Sequence, residues 1–305
     1  MLENLDHVVR LDDVDAGHLL SDYATFSNGV QTGDYARFGR SFWEIAVFGR
    51  DWIRQQTTVD ATVIYGGCSQ VLLWEQGSGA LVDYVQEKLG GSTGAWLRGL
   101  DVWGKRGIQV SAMGSLPVSL YAGCAFDDNS VVILPKDEGD LGAIWAYCSS
   151  AEYPTEVRKV SQSLKVRGPL IDVPFDKDRW QSEFESKYPN GLPNRSSDDP
   201  AQWLFHGDLK CSTAPLQVAV ARLVGYAWPL ELDGENAQSN DECITVLASH
   251  ADKDGIVCIP PVGREASASD RLLNLLADAY GADWSNDVLA QLLTATDHAS
   301  KSLET

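Results

Sequence analysis

The stretch GVQTGDYARFGRSFW, residues 29–43, packs a glycine turn, an acidic cap and two arginines into one short segment. Gly29 and Gly33 permit a tight turn with positive φ around Thr32, and Asp34 is placed to cap a helix expected over residues 35–46. On that helix Arg37 and Arg40 fall at i and i+3, so both guanidiniums project from one face in a geometry suited to phosphate or carboxylate. The same spacing also fits a surface turn whose arginines pair with Asp34 and Glu44.

Outward from this segment the periodicity switches repeatedly between helix and strand. Residues 61–65 read as a strand, 79–89 as an amphipathic helix, and 107–121 with 130–134 as β-structure interrupted by glycine and proline. Asp140 to Lys165 reads as helical, with an apolar stripe from Leu141, Ile144, Trp145, Cys148, Val157 and Val160 broken at Pro154. A stretch rich in Pro, Asn, Ser and Asp from Tyr188 to Pro200 divides the chain. Beyond it, APLQVAVARLVGYAW presents Leu216, Val220, Leu223 and Val224 at helical spacing behind Pro215, and SASDRLLNLLADAY and NDVLAQLLTATDH add two amphipathic helices. ITVLA and GIVCIPPV read as short strands or extended connections. This order of elements is α+β, a mixed α/β domain over 1–187 followed by a mainly helical one over 188–305.

A chain of 305 residues with 44% hydrophobic and 9% aromatic content is long and apolar enough for two buried cores. The absence of a run approaching the roughly 20 apolar residues of a membrane span, and a start (MLENLDHVVRLDD) without a secretion signal, make a cytoplasmic protein the expectation. Six dispersed cysteines without a Cys-x-x-Cys pair read as reduced thiols. His206, Cys211, Cys243 and His250 have spacings unlike a zinc knuckle, so no metal is expected. Ser-His-Asp chemistry is not supported either: the five histidines are scattered and there is no Gly-x-Ser-x-Gly elbow. A net charge of −19 and a pI near 4.5 oppose nucleic-acid binding on average. Basic residues nevertheless concentrate at Arg37, Arg40, Arg50 and Arg54, at Arg98, Lys105 and Arg106, and from Arg158 to Arg179, so a basic face on an acidic body is compatible with DNA within about a Debye length, roughly 8 Å.

The 29–43 segment resembles the start of the non-catalytic half of large adenine-specific DNA methyltransferases, including single-chain restriction-modification enzymes and phage-defence methyltransferases of the BREX and DISARM type. Their Gly-x-x-Thr-Gly-Asp-Asn-x-Arg-Phe pattern with a following aromatic pair is matched by Gly29, Thr32, Gly33, Asp34, Arg37, Phe38, Phe42 and Trp43, with Tyr35 where Asn is usual. The resemblance continues through VLLWEQG (71–77), WGKRGIQVSAMGSLPVSLY (103–121), FDDNSVVILPKD (126–137), AIWAYCSSAEY (143–153), DVPFDKDRW (172–180), DDPAQWLFHG (198–207), APLQVAVARLVGYAWP (214–229) and DGIVCIPPV (254–262). It implies that 1–187 is a target-recognition-like domain acting on double-stranded DNA.

Methylating an adenine amino group requires an Asn/Asp-Pro-Pro-Tyr/Phe loop around the flipped base, and the only Pro-Pro here, Pro260-Pro261, lies between Ile259 and Val262. Gly66-Gly67 and Gly90-Gly91 lack the further spaced glycine and acidic ribose ligand of a nucleotide-binding turn. The chain is therefore expected to hold no catalytic residue and no cofactor. The resemblance places S-adenosylmethionine and catalysis in a methyltransferase domain or subunit N-terminal to the Thr-Gly-Asp block, and because relatives run on past Lys301–Thr305, a fragment or split gene is expected.

Three regions are candidate DNA contacts. Lys105 and Arg106 lie on a glycine-flanked loop leading into a strand where Gln109, Ser111 and Met113 share one face, the best place for base reading beside phosphate contacts; the same pattern fits an ordinary exposed strand edge. Lys165 and Arg167 share a face where the long helix ends, suited to phosphate or to compensating the helix dipole; relatives often have Asn-Val-Thr there, so the resemblance supports the location more than the residue roles. In DDPAQWLFHG, Trp203 has an aromatic face for a nucleotide, although burial between domains suits Trp203 and Phe205 better. Two functions follow: the DNA target-recognition portion of an adenine-specific methyltransferase, or an acidic protein-interaction module that meets a basic partner or imitates DNA.

Overall fold

The computed structural model describes residues 18–45, 49–232, 246–299 and 301–303, and the chain divides between Arg195 and Ser196 into two units. The division falls within the polar Tyr188–Pro200 stretch but after 187, and Arg195 still donates from Nη1 to the Ala122 carbonyl of the first unit, at 2.8 Å.

Strands β1 (Ala24–Asn28), β2 (Gly39–Ser41), β3 (Trp52–Gln56), β4 (Gln70–Leu73), β5 (Gly107–Ser111), β6 (Val118–Tyr121), β7 (Ala125–Phe126) and β8 (Ser130–Pro135) form two four-stranded sheets in the first unit. One sheet has the order β1-β8-β5-β6 and is antiparallel throughout; the other has the order β2-β4-β3-β7, with β7 parallel to β3. With helices on these sheets and a helical second unit, the fold is α+β. The unbroken apolar run Val131–Leu134 makes β8 an inner strand, between β1 and β5.

Alternation along β5 sends Ile108 and Val110 into the main core, where they join residues of α4 (Leu141–Cys148), α5 (Glu152–Val160) and α6 (Lys177–Lys187). Every residue of α4 is buried, and α6 packs against it so closely that a Cβ at Gly142 would lie 2.5 Å from the Phe184 ring. Tyr147, Tyr153, Phe175 and Trp180 supply the aromatic centre, each fully buried large side chain contributing about 1.5–3 kcal/mol. The second sheet carries α3 (Ala80–Leu89), whose Leu81 and Val85 pack with Val30, Phe38 and Leu72.

Several expectations are corrected. The helix placed over 35–46 is instead two separate turns, α2 (Tyr35–Phe38) and a 3-10 turn at Phe42–Glu44, because Gly39 turns extended between them and pairs with Leu72 as β2; residue 46 lies outside the described residues. Residues 61–65 form no strand, although Val63 and Ile64 hydrogen-bond to Val118 and Leu120 along β6. The 140–165 helix breaks at Ser149–Ala151, not at Pro154, which sits in the first turn of α5 where a missing N–H costs nothing. From Ser161 to Lys165 the chain is irregular.

The second unit carries helices α7 (Pro215–Leu223), α8 (Pro229–Leu232), α9 (Ala268–Tyr280) and α10 (Asn286–Ala295). Ser267 and Ser285 cap the last two through their side chains. The buried face of α7 is Val218, Ala219, Arg222 and Leu223, whereas Val220 and Val224 are exposed. Of ITVLA, Ile244 and Thr245 lie outside the described residues and 246–248 is helical; 256–261 is irregular.

Candidate nucleic-acid interface

The Thr-Gly-Asp turn is built as its residues dictate. Asp34 caps α2, its carboxylate accepting from the Arg37 amide at 3.3 Å, and Gly33 has φ +72°, with the Trp96 ring 2.4 Å from where a Cβ would be. Gly29 is required for another reason than positive φ: a Cβ there would lie 2.1 Å from the Asp127 carbonyl oxygen. The Val30 amide donates to the Phe126 carbonyl at 2.8 Å, and Val30 bridges Asp127. The Thr-Gly-Asp turn and the FDDN turn, almost a hundred residues apart in sequence, thus lie side by side.

Between them opens a cleft of about 670 Å³, lined by Gln31, Thr32, Tyr35, Gln70, Asp127 and Asn129 among others. The Tyr35 hydroxyl lies 3.1 Å from Gln55 Oε1 and 3.2 Å from Gln70 Oε1. Burial pushes the Asp127 carboxyl above its ordinary range, although the Ser130 hydroxyl, donating at 2.6 Å, works the other way.

Asp128, which also lines the cleft, gathers three cations. Arg98 and Lys165 are hydrogen-bonded to its carboxylate, and Arg167 Nη2 donates to Oδ1 at 2.8 Å. Lys165 also reaches Asn129 Oδ1, at 3.3 Å, on the rim of the cleft. Three cations against one carboxylate leave a local positive balance even with Asp127 ionised, in contrast to the chain as a whole.

The expected site residues part company here. Lys165 and Arg167 are brought together, on Asp128. Arg37 and Arg40 do not share a helical face: Arg40 lies on β2 and donates to the Ala36 and Gly39 carbonyls at 2.5 and 2.6 Å, capping α2, while Arg37 lies over the Phe38 and Tyr84 rings. Gln109 and Ser111 share a face of β5, but that face is covered. Gln109 Nε2 donates to the Thr57 carbonyl at 2.6 Å and to Ser130 Oγ at 2.9 Å, while Ser111 Oγ donates to the Val59 carbonyl and accepts from its amide. Both are buried clamps on the 57–59 segment and are removed from base reading. Lys105 and Arg106 are exposed on the turn before β5.

Trp203 and Phe205 are buried, Phe205 edge-on against Trp228 of its own unit. Cys243 lies outside the described residues, and no group of three metal-ligating side chains occurs among the described ones. Likewise no described helix is long and apolar enough to cross a membrane. What residue reading missed is the Arg98–Asp128 pairing and the polar cleft. FDDN was visible as a block, but no local signal links it to residues 98, 165 and 167.

Comparison with protein-family models found no matching family, and comparison with curated proteins found no match. The methyltransferase resemblance accordingly stands on the residue blocks alone.

Proposed function

We propose that the chain is the non-catalytic DNA target-recognition portion of an adenine-specific DNA methyltransferase of restriction or phage-defence type. It positions duplex DNA for a catalytic, S-adenosylmethionine-binding domain or subunit outside this chain. The observation that carries this reading is the Arg98–Lys165–Arg167 cluster around Asp128, set at the rim of a cleft between two of the sequence blocks that carry the resemblance. Cations in such an arrangement suit phosphates, and the amides and hydroxyls of Gln31, Thr32, Gln70 and Asn129 have the donor and acceptor character that base edges require. Base reading is therefore assigned to the cleft in place of Gln109 and Ser111, with Lys105 and Arg106 as further phosphate contacts.

Anisotropy of a labelled duplex, measured from about 50 to about 200 mM salt, tests this; binding should weaken steeply, and the double variant Lys165→Ala, Arg167→Ala should lower the salt slope by about 2. Lys105→Ala with Arg106→Ala, on an exposed turn, should act in the same direction without disturbing the fold. A parent protein that ignores duplex at low salt, yet binds a basic nucleic-acid enzyme, would establish the acidic-mimic reading instead.

A further inference from the structure

The loop after α5 carries a feature that phosphate contact alone does not use. Leu164 is 81% exposed, standing between Ser163 and Lys165 at the tip of that loop. A single exposed leucine is ordinary on a protein surface, but here the residues on both sides are tied down. Arg158 donates from Nη1 to the Ser163 carbonyl at 2.6 Å and from Nη2 to the Gly114 carbonyl at 2.8 Å. Val166 is buried, and its amide donates to the Ala112 carbonyl at 2.8 Å. Lys165 and Arg167 are both fastened to Asp128. Through Arg158 the same loop is joined to the β5–β6 turn, where Met113 is also exposed.

Resting on the DNA reading above, we propose that Leu164 is a wedge that enters a base step of the bound duplex while Lys165, Arg167 and Arg98 hold the flanking phosphates. An apolar wedge needs a tip free of its own fold, a backing that does not yield when pushed into stacked bases, and cations to offset the cost of unstacking. Leu164 meets the first through its exposure, the second through Arg158 and Val166, and the third through the Asp128 cluster. Met113, on the adjoining turn, supplies apolar surface beside the opened step. A lipid surface is disfavoured as the occupant, since a body of net charge −19 is repelled by anionic headgroups.

The test uses a mixed-sequence duplex of about 30 base pairs with a fluorophore at each end, saturated with the full chain, to read bending by energy transfer. Permanganate reactivity of thymines reads unstacking on the same duplex. The parent is expected to bend the duplex by roughly 20° or more and to expose thymines to permanganate. At saturating protein Leu164→Ala should lose both signals while keeping its salt-dependent binding in weakened form, and Leu164→Met should retain them. Thermal melting of Leu164→Ala controls for folding. A parent that binds duplex without bending or unstacking it, or a Leu164→Ala variant that still does both, overturns the wedge and leaves the DNA reading standing. Failure of the parent to bind any duplex overturns both, and binding of the parent but not of Leu164→Ala to anionic vesicles would make Leu164 a lipid contact instead.

Discussion

Gln109 is a polar residue in an alternating strand, and its neighbours decide its role. Ile108 and Val110 point into the core as their hydropathy requires, which forces Gln109 and Ser111 to the opposite face, and segment 57–59 closes over that face. Gln109→Ala should therefore cost about 1–3 kcal/mol, by leaving the half-buried Thr57 carbonyl and the buried Ser130 hydroxyl short of a donor, and leave sequence preference unchanged; urea unfolding and competition between duplex pools measure the two. Asp127 yields a pH prediction. With its folded pKa raised chiefly by burial, it disfavours folding less while protonated, so its contribution is fully present below the ordinary carboxylate pKa and is lost as pH rises through the raised value. Urea midpoints across that window should fall for the parent and fall less for Asp127→Asn.

At the scale of elements, side-chain clamps and pairings override local propensity. Gln56 on β3 donates to the Gly66 carbonyl, Ser119 Oγ and the Leu120 carbonyl and accepts from the Ala122 amide, joining the two sheets of the first unit. Gln56→Leu strands several buried partners at once and should destabilise by about 3 kcal/mol, read as a lowered denaturant midpoint with unchanged slope. In the second unit, Arg222 of α7 pairs with Glu231 of α8 at 2.8 Å, both side chains buried, and also donates to the Gly207 carbonyl. Arg222→Met leaves Glu231 buried and unpaired, an expected loss of about 3–5 kcal/mol, whereas adding Glu231→Leu should recover part of it. This ion pair explains the corrected face of α7: Arg222 turns inward to meet Glu231, and Val220 and Val224 are left outside. The short α2 has a similar cause, since ladder bonds between β2 and β4 take over where a longer helix would have left the second sheet without an edge partner.

Across the molecule, the basic residues divide by what faces them. Lys177 is bound to Asp140, Arg179 to Glu152 and Lys159 to Glu156, one carboxylate to each cation, while Arg98, Lys165 and Arg167 share one. Of these two arrangements the shared one leaves charge for a polyanion, so Lys177→Ala with Arg179→Ala should leave duplex affinity and its salt slope unchanged in the anisotropy titration, where the Lys165 and Arg167 variants reduce both. A formal charge of −19 sets the background against which this local excess acts, and steep salt dependence is its expected signature.

By itself the sequence determined the α+β class, the Asp34 cap, the Gly33 turn and helices α3, α9 and α10, because each depends on residues within a few positions of one another. Tertiary structure alone decided which polar faces are covered, where α2 stops, and that Asp128 meets partners 30, 37 and 39 residues away. Periodicity reports which side chains share a face; what lies against that face is settled by sheet order and packing between distant segments, for which neighbouring residues hold no record.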